Sequence, residues 1–245
     1  MRCSAVSRAA LLTGTRRDGP APPASLWRGR QRPGAGRLRR LLQHCALPLL
    51  LALTGLPASA AAADDERATA VFAGGCFWCV EQAFDLVDGV VATTSGYTGG
   101  HVEDPSYEEV GTGETGHYQA VQVEYDPARV SYEELLYAFW RNVDPLDGGG
   151  QFCDRGDQYR AAIFVDSAEE QRAAETSKEE LAESGRFDEP IATEIQERTA
   201  FYPAEDYHQN YYQENPLRYR FYVTTCGRYG RLDEVWGDEA RPGAD

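Results

Sequence analysis

Methionine, lysine and long apolar runs are scarce in this 245-residue sequence. Met1 is its one methionine and Lys178 its one lysine, so thioether oxidation is excluded along the rest of the chain. The main apolar run, residues 41–56, is shorter than the roughly 20 residues that a membrane-spanning helix needs. We therefore expect no stable membrane association.

Basic residues are also scarce after residue 63, where 14 of them face 38 acidic residues. Phosphate binding needs a cationic face, so this imbalance excludes nucleic acids and anionic membranes as expected partners. Residues 1–63 show the opposite bias, with ten arginines and a single acid, Asp18. Such an asymmetry between two parts of a chain is typical of a targeting segment.

The first 63 residues contain the three parts of a secretory signal. The stretch "RLRR" supplies a basic region, residues 41–56 supply the apolar region, and Ala58-Ser59-Ala60 supplies small residues for cleavage. We therefore predict a leader over residues 1–63, one domain over residues 64–245, and an exported, periplasmic protein. An organelle transit peptide and a disordered basic tail are the alternatives for the leader.

The six cysteines divide between the leader and the predicted domain. Those in the domain are Cys76, Cys79, Cys153 and Cys226. Four cysteines in an exported protein are consistent with two structural disulfides, and equally with redox chemistry. Both alternatives stay open at this point.

Strands and helices alternate along the predicted domain. Strands are predicted at 68–74, within 90–100, and at 118–126, 159–166 and 191–198. Helices are predicted over 76–87, 132–143 and 168–183, the last two opened by the capping boxes Ser131–Glu134 and Ser167–Glu170. Because the linkers are long and several strands alternate polar and apolar residues, we predict an α+β two-layer sandwich with a mixed sheet. A doubly wound parallel sheet is the alternative.

The stretch "AGGCFWCVEQAF", residues 73–84, places Cys76 where a strand meets a helix. Glycines let backbone N–H groups approach the sulfur, and a helix N-terminus stabilises an anion there. We therefore predict that Cys76 is a nucleophile whose pKa lies below that of a free thiol; a small buried residue in a tight turn is the alternative. Phe77 and Trp78 are either helix core or the walls of a slot for a small apolar group such as a methyl.

Cys76 and Cys79 form a C-x-x-C pair, which two other classes of protein share. One class is a thioredoxin-like dithiol oxidoreductase. The other is a structural zinc domain that uses these thiols with Cys153, Cys226 or a histidine. Zinc sites usually pair two C-x-x-C knuckles, and this chain has one. A metal assay after dialysis and an insulin reduction assay separate these alternatives.

Several motifs together resemble the peptide methionine sulfoxide reductases of the A class. In chain order they are "GGCFWC", "SGYTGG", "YEEVGTG", "TGHY", "NVDPLDGGGQFCDRGDQYRAAIF", "EDYHQNYY" and "CGR". The resemblance runs from about residue 70 to 237. It implies a sandwich of plait type with much coil, and reduction of the S epimer of methionine sulfoxide, free or in proteins.

The resemblance also implies roles for individual residues. They are Cys76 as the nucleophile, Phe77 and Trp78 as the pocket for the substrate methyl, Tyr107 and Tyr159 as hydroxyl donors to the sulfoxide oxygen, and Asp154 as a buried carboxylate near the site. For the tyrosines, of which the chain has 14, sheet-covering aromatics are the alternative. His208 lies in another of the motifs, without an assigned role.

The chain departs from the family at Gln119, where the family usually carries a glutamate. In the family this glutamate, when protonated, donates to the sulfoxide oxygen. An amide can donate a hydrogen bond but cannot supply a proton. The resemblance therefore implies that Gln119 occupies a catalytic position and that the proton comes from the Cys76 thiol, a water molecule or Asp154.

Sulfur chemistry predicts the remaining steps without a metal or an organic cofactor. The Cys76 thiolate attacks the sulfoxide sulfur, methionine leaves, and the cysteine becomes a sulfenic acid. A second thiol then forms a disulfide with it, and a thioredoxin-like reductant resets the enzyme. Cys226 is favoured as this second thiol, because the glycines beside it allow its segment to move. Cys79, one helical turn from Cys76, and Cys153 are the alternatives; we expect a monomer.

Overall fold

The computed structural model describes residues 67–243. The predicted leader, its cleavage site and the predicted boundary after residue 63 lie outside the described residues. Within residues 67–243, no helix combines the length and the apolar character needed to cross a membrane.

In this part of the chain, eight strands form a six-stranded mixed sheet and a separate two-stranded ribbon. The strands are β1 (Ala68–Gly74), β2 (Val90–Thr98), β3 (Tyr118–Tyr125), β4 (Gly150–Gln151), β5 (Asp154–Arg155), β6 (Ala161–Val165), β7 (Glu194–Glu197) and β8 (Tyr202–Pro203). The main sheet has the order β7-β6-β1-β3-β2-β8, in which β6 and β7 are parallel and all other neighbours are antiparallel. β4 and β5 form the ribbon.

Seven α-helices of the described residues accompany these strands. They are α1 (Phe77–Asp85), α2 (Tyr107–Gly111), α3 (Tyr132–Trp140), α4 (Ala168–Glu183), α5 (Tyr211–Glu214), α6 (Pro216–Cys226) and α7 (Arg228–Trp236). Helices α1 and α3 pack against β1, and α4 packs against α3. The central order β6-β1-β3-β2 with α1 and α3 as connections is that of a plait, so the predicted α+β sandwich is confirmed.

Side chains along β1 alternate between two cores. The ring of Phe72 lies in the helix layer, 4.7 Å from the Phe84 ring and 5.3 Å from the Phe139 ring, measured between centroids. Val71 belongs to a smaller cluster, against which Phe201 packs. Because Phe84 is on α1, the larger core holds this helix against β1.

The predicted capping boxes have different outcomes. At α3 the box is confirmed, since Ser131 Oγ accepts the Glu134 N–H at 3.2 Å and the Glu134 carboxylate accepts the Ser131 N–H at 2.8 Å. At α4 the prediction is half wrong. Ser167 Oγ accepts the Glu170 N–H at 3.1 Å, but the Glu170 carboxylate forms an ion pair with Arg198 at 3.1 Å. The Glu170 carboxylate also accepts the Asp166 N–H at 2.7 Å, so this half of the box is shifted to the residue before the N-cap.

The C-terminal helices are absent from the sequence prediction. Helix α6 buries Tyr219 and Val223, while Leu217 and Phe221 are 83% and 72% exposed. Apolar residues therefore lie on more than one face of α6, and no helical periodicity marks it. Gly227, with φ +71°, ends α6 and begins α7.

Candidate active site

Cys76 lies between β1 and α1, one residue before the helix begins. Gly75 has φ +87°, and a Cβ at this position would lie 2.7 Å from Gln151 Cβ. A side chain here would be strained by the backbone and blocked by Gln151. The glycine therefore lets the chain pass Gln151 and place Cys76 at the helix start, where the residue is 6% exposed.

Cys79 forms a side-chain hydrogen bond with Cys76. Cys76 is the N-cap of α1, with φ −57° and ψ 120°, so its backbone is outside the helical conformation. Cys79 is the third helical residue, and its N–H donates to the Cys76 carbonyl at 3.0 Å. An N-cap side chain normally reaches this third residue. The two sulfurs therefore face each other across the helix start, without a full helical turn between them.

The pKa values of the two thiols move in opposite directions. Burial raises the pKa of Cys76 well above its usual range, and Cys79 and Asp154 raise it further. Burial also raises the pKa of Cys79, but the hydrogen bond with Cys76 and the charge of Arg228 outweigh it and lower this pKa to about 7. The sequence prediction of a lowered Cys76 pKa is therefore wrong. Burial and the neighbouring Asp154 thus disfavour a thiolate at Cys76, whereas the charge of Arg228 favours one at Cys79.

Gln119, Tyr107 and Tyr159 form a polar cluster beside Cys76. Gln119 is 1% exposed, and its Oε1 accepts the Phe77 N–H at 3.3 Å. The side chains of Gln119 and Tyr159 lie close enough to the Tyr107 hydroxyl to influence its pKa. Burial raises the pKa of Tyr107, so this hydroxyl stays protonated. Its own proton is available to a further acceptor, such as a sulfoxide oxygen.

Aromatic rings form the other side of the site. Trp78 Nε1 donates to His208 Nδ1 at 3.1 Å, and the Tyr211 ring stacks on the Trp78 ring at 3.8 Å between centroids. The His208 ring lies 5.1 Å from Phe77 and 4.3 Å from Tyr107. Phe77 is 1% exposed, so it belongs to the core, and its role as a wall for the substrate methyl stays a prediction.

The second cysteine pair borders the same site. Cys153 and Cys226 form a disulfide that joins the turn between β4 and β5 to the end of α6. The adjacent Asp154 accepts a hydrogen bond from Tyr222, and burial raises the Asp154 pKa. Asp154 is half-buried rather than buried, and its carboxylate lies close enough to raise the pKa of Cys76. Cys226 is thus bonded to Cys153, and the prediction that it resolves a Cys76 sulfenic acid stays a prediction.

The chain matches a known protein family over most of the described residues. The family model of peptide methionine sulfoxide reductase matches residues 68–240. The chain belongs to this family. It is 51% identical over 173 residues to peptide methionine sulfoxide reductase MsrA of Bacillus licheniformis, across 71% of this chain and 96% of that protein. It is 50% identical over 174 residues to the MsrA of Bacillus subtilis, across 71% of this chain and 98% of that protein.

Solved structures agree with the family assignment. The chain is similar to methionine sulfoxide reductase A of Corynebacterium diphtheriae, with a TM-score of 0.55 and 35% identity across 62% of this chain and 76% of that one. It is also similar to Mxr1 of Saccharomyces cerevisiae in reduced form, with a TM-score of 0.57 and 32% identity across 62% of this chain and 87% of that one. The chain is therefore an oxidoreductase that reduces methionine sulfoxide to methionine, as its motifs indicate.

Sequence reasoning missed Glu81 as part of the reductase site. This residue is 0% exposed on α1, its Oε1 accepts the Asn210 N–H at 3.1 Å, and burial raises its pKa to about 7. Asn210 directly precedes Tyr211, so Glu81 ties the ring above Trp78 to the helix that carries the cysteines. The signal for the aromatic partners is the segment 201–222, which holds eight aromatic residues. No sequence signal marks Glu81.

Residues 67–243 contain no set of side chains suited to the structural zinc site considered as an alternative. Cys153, Asp154 and Cys226 are the group of potential ligand atoms that lie within 4.8 Å of one another. Two of these three atoms are sulfurs already bonded to each other, and a cysteine binds zinc as a thiolate, not as a disulfide. Cys76 and Cys79 are outside this group.

Proposed function

We propose that this reductase acts on the S epimer of methionine sulfoxide, free or in proteins, with Cys76 as the catalytic thiol. The observation that carries the proposal is that two unlike groups of side chains lie beside Cys76 and serve as walls for a substrate. One group is the Tyr107 hydroxyl and its neighbours, which suit a sulfoxide oxygen; the other is Phe77 and Trp78, which suit the methyl group. A stereogenic sulfur with one oxygen and one methyl is distinguished by such a pair of walls.

In the first step Cys76 Sγ bonds to the sulfoxide sulfur, and the sulfur–oxygen bond breaks. Overall the thiol and the sulfoxide become a sulfenic acid and methionine, so one oxygen atom is transferred and the proton count is unchanged. The oxygen needs hydrogen bonds and a proton while it leaves. Tyr107 supplies the hydrogen bond, and the pKa raised by burial keeps on Cys76 the proton that the family's glutamate otherwise provides.

Gln119 replaces that glutamate without disturbing the geometry of the site. Its Oε1 holds the Phe77 N–H, and its amide nitrogen faces the Tyr107 hydroxyl. The amide therefore orients the oxygen-binding group but contributes no acid. Asp154, whose pKa is also raised by burial, is a second source of the proton.

Cys79 is the thiol best placed for the second step. Its sulfur hydrogen bonds with Cys76, and its thiolate forms at about pH 7. The Cys79 thiolate attacks the Cys76 sulfenic sulfur, a disulfide forms, and the oxygen leaves as water after taking one proton. Cys226, favoured from the sequence, reaches this role only after its bond to Cys153 has been reduced.

The compartment, the reductant and the oligomeric state complete the proposal. The pattern of residues 1–63 supports export to the periplasm, and an exposed disulfide is compatible with an oxidising compartment. A thioredoxin-like dithiol reductant and a monomeric enzyme are proposed on the resemblance and the acidic composition. N-terminal sequencing of protein from the native host tests the export; an intact leader on protein recovered from the cytoplasm contradicts it.

The decisive test uses the two separated epimers of methionine sulfoxide in a thioredoxin-coupled assay. We expect turnover with the S epimer only, and none with the Cys76→Ser variant. Turnover of the R epimer at a similar rate would contradict the proposed walls. Peptide mapping after one equivalent of sulfoxide then identifies the first disulfide, with Cys76–Cys79 expected and Cys76–Cys226 as the contrary outcome.

A further inference from the structure

A cavity of about 380 Å³ lies beside α1 and reaches Cys79. Cys76 does not line it, whereas Leu86 and Tyr229, which are 43% and 39% exposed, do. The cavity is therefore open to solvent, and its volume is at the lower end of the roughly 300–1,000 Å³ of small-molecule sites. It provides a route to Cys79 that passes neither Cys76 nor the aromatic wall. A larger cavity of about 730 Å³ between α3 and α4 is lined by no cysteine.

The walls of the cavity beside Cys79 carry positive charge. Arg228 and Arg241 line it together with the amides of Gln82 and Asn142, and no aspartate or glutamate is among its lining residues. Arg241 forms an ion pair with Asp233 at 2.8 Å, which lies outside the lining, so Arg228 contributes more of the unbalanced charge. After residue 63 the chain has 38 acidic and 14 basic residues, so an acid-free wall with two arginines differs from the average surface. This composition suits an anionic ligand.

Arg228 is the residue that makes the cavity favour an anionic ligand. The residue is 3% exposed, and its guanidinium donates to the carbonyl oxygens of Gly74 at 3.2 Å and Asn142 at 2.7 Å. Both partners are neutral, and no ion pair of Arg228 occurs among the described residues. The Arg228 charge lowers the pKa of the nearby Asp154, but among the described residues no carboxylate forms an ion pair with this guanidinium, and a buried charge without a close counter-charge is costly. Arg228 also lowers the pKa of Cys79, so its charge favours a thiolate there in the reduced enzyme, and a Cys76–Cys79 disulfide removes this counter-charge.

We propose that this cavity binds a small thiol carrying a carboxylate, which reduces the oxidised enzyme by attacking Cys79 Sγ. The inference rests on the proposed function, because it needs a Cys76–Cys79 disulfide. The carboxylate takes the place of the lost thiolate charge near Arg228, so the cavity favours the anion in the oxidised state.

The reaction consumes two molecules of the thiol. The thiolate of the first bonds to Cys79 Sγ, the Cys76–Cys79 bond breaks, and Cys76 leaves as a thiolate that takes up a proton. The second thiolate attacks the small-molecule sulfur of the mixed disulfide and releases the Cys79 thiolate. The enzyme gains two electrons, and two thiols become one disulfide. Leaving-group acidity alone favours attack on Cys76, so access through the cavity decides the direction.

The test follows the reduction of the full chain after one turnover with methionine sulfoxide. The probes are 3-mercaptopropionate, which carries a carboxylate, and neutral 2-mercaptoethanol, compared at equal thiolate concentrations. We expect the anionic thiol to react about fivefold faster, the size of effect that one partly exposed charge pair produces. Arg241→Gln should reduce this ratio, and Ala83→Leu, which narrows the cavity, should slow both probes. Mass spectrometry of the quenched reaction should find the adduct on Cys79.

The controls separate this inference from the proposed function. Methionine release in the first turnover should be the same in the wild type, Arg241→Gln and Ala83→Leu, because these residues do not contact Cys76. A first turnover without a Cys76–Cys79 disulfide overturns the resolving step and this inference together. A normal disulfide whose reduction shows no preference between the probes, or an adduct on Cys76, overturns the cavity inference alone.

Discussion

The two cysteine pairs of this reductase differ in nearly every property that a fold can set. Cys76 and Cys79 lie three positions apart, are 6% and 4% exposed, and are free thiols. Cys153 and Cys226 are 73 positions apart and joined as a disulfide, with Cys153 exposed. The first pair therefore lies beside the reacting groups, and the second links two distant segments at their border.

The difference teaches that the surroundings of a thiol, and not its reactivity as an isolated group, assign its role. Around Cys76 the fold places the hydroxyl of Tyr107, an amide and aromatic rings. Around Cys226 it places the ribbon turn that carries Asp154, together with the Tyr222 hydroxyl that holds this carboxylate. Removing Cys76 or Cys79 should stop the turnover of sulfoxide. Removing Cys153 and Cys226 should instead lower the stability of the fold.

The largest expected effect is the loss of activity in Cys76→Ser. Serine lacks the nucleophilic sulfur, so no methionine should be released from one equivalent of sulfoxide. Cys226→Ser is the matched control and should release one methionine per enzyme. The amount of methionine, measured by chromatography after quenching, checks both. Loss of the first turnover in Cys226→Ser would contradict the purely structural role of the second pair.

The next effect is on stability. Replacing both Cys153 and Cys226 by serine opens a 73-residue loop, and chain entropy predicts a loss in the free energy of unfolding on the order of 4 kcal/mol. Cys79→Ser removes a thiol but no cross-link and serves as the control. Guanidinium unfolding curves measure the difference. An unchanged midpoint in the double variant would mean that the exposed pair does not hold the scaffold.

Tyr107→Phe should slow the first step. The variant loses the hydroxyl that faces the leaving oxygen, and removing one such donor typically costs about 10²–10³-fold in rate. Substrate affinity should change less, because the ring still packs against His208. Tyr137→Phe, at an exposed position on α3, is the control. Single-turnover rates against sulfoxide concentration separate the two contributions, and an unaltered maximum rate contradicts the assigned donor role.

Gln119→Glu should accelerate the same step by up to about 10²-fold, the lower end of the effect of positioned acids. Burial raises the pKa of a carboxyl at this position. The acid is therefore present below its pKa and lost as pH rises through it, so the gain should be largest at low pH. Gln122→Glu, on the same strand, is the control. Equal rates for Gln119→Glu and the wild type from pH 5 to 9 would show that the Gln119 amide does not slow the first step.

The smallest effect concerns the order in which the buried thiols ionise. Because the Cys79 pKa is lowered to about 7 and the Cys76 pKa is raised, alkylation of Cys79 should increase through neutral pH and that of Cys76 only at higher pH. Peptide mapping after brief treatment with iodoacetamide across pH 6–10 measures both. Earlier labelling of Cys76 would reverse the assignment of the thiolate.

Short-range patterns determined much of this site. The predicted strand 68–74 is β1, the glycine turn places Cys76 at the start of α1, and Ser131 with Glu134 opens α3. These features depend on backbone conformation and hydrogen bonds within a few residues, which composition and spacing encode. The family motifs added Tyr107 and the other residues of the polar cluster, which the structure brings together.

Only the tertiary structure decided what surrounds each sulfur. The Cys153–Cys226 bond, the ion pair between Glu170 and Arg198, and the approach of Arg228 to Cys79 join segments far apart in the chain. Burial then reversed the pKa expected for Cys76, because desolvation depends on every element packed around a thiol, whereas the glycines and the helix start beside it are local. Spacing along the chain indicated which thiol could react, and packing decided which charges and hydrogen-bonding groups surround each one.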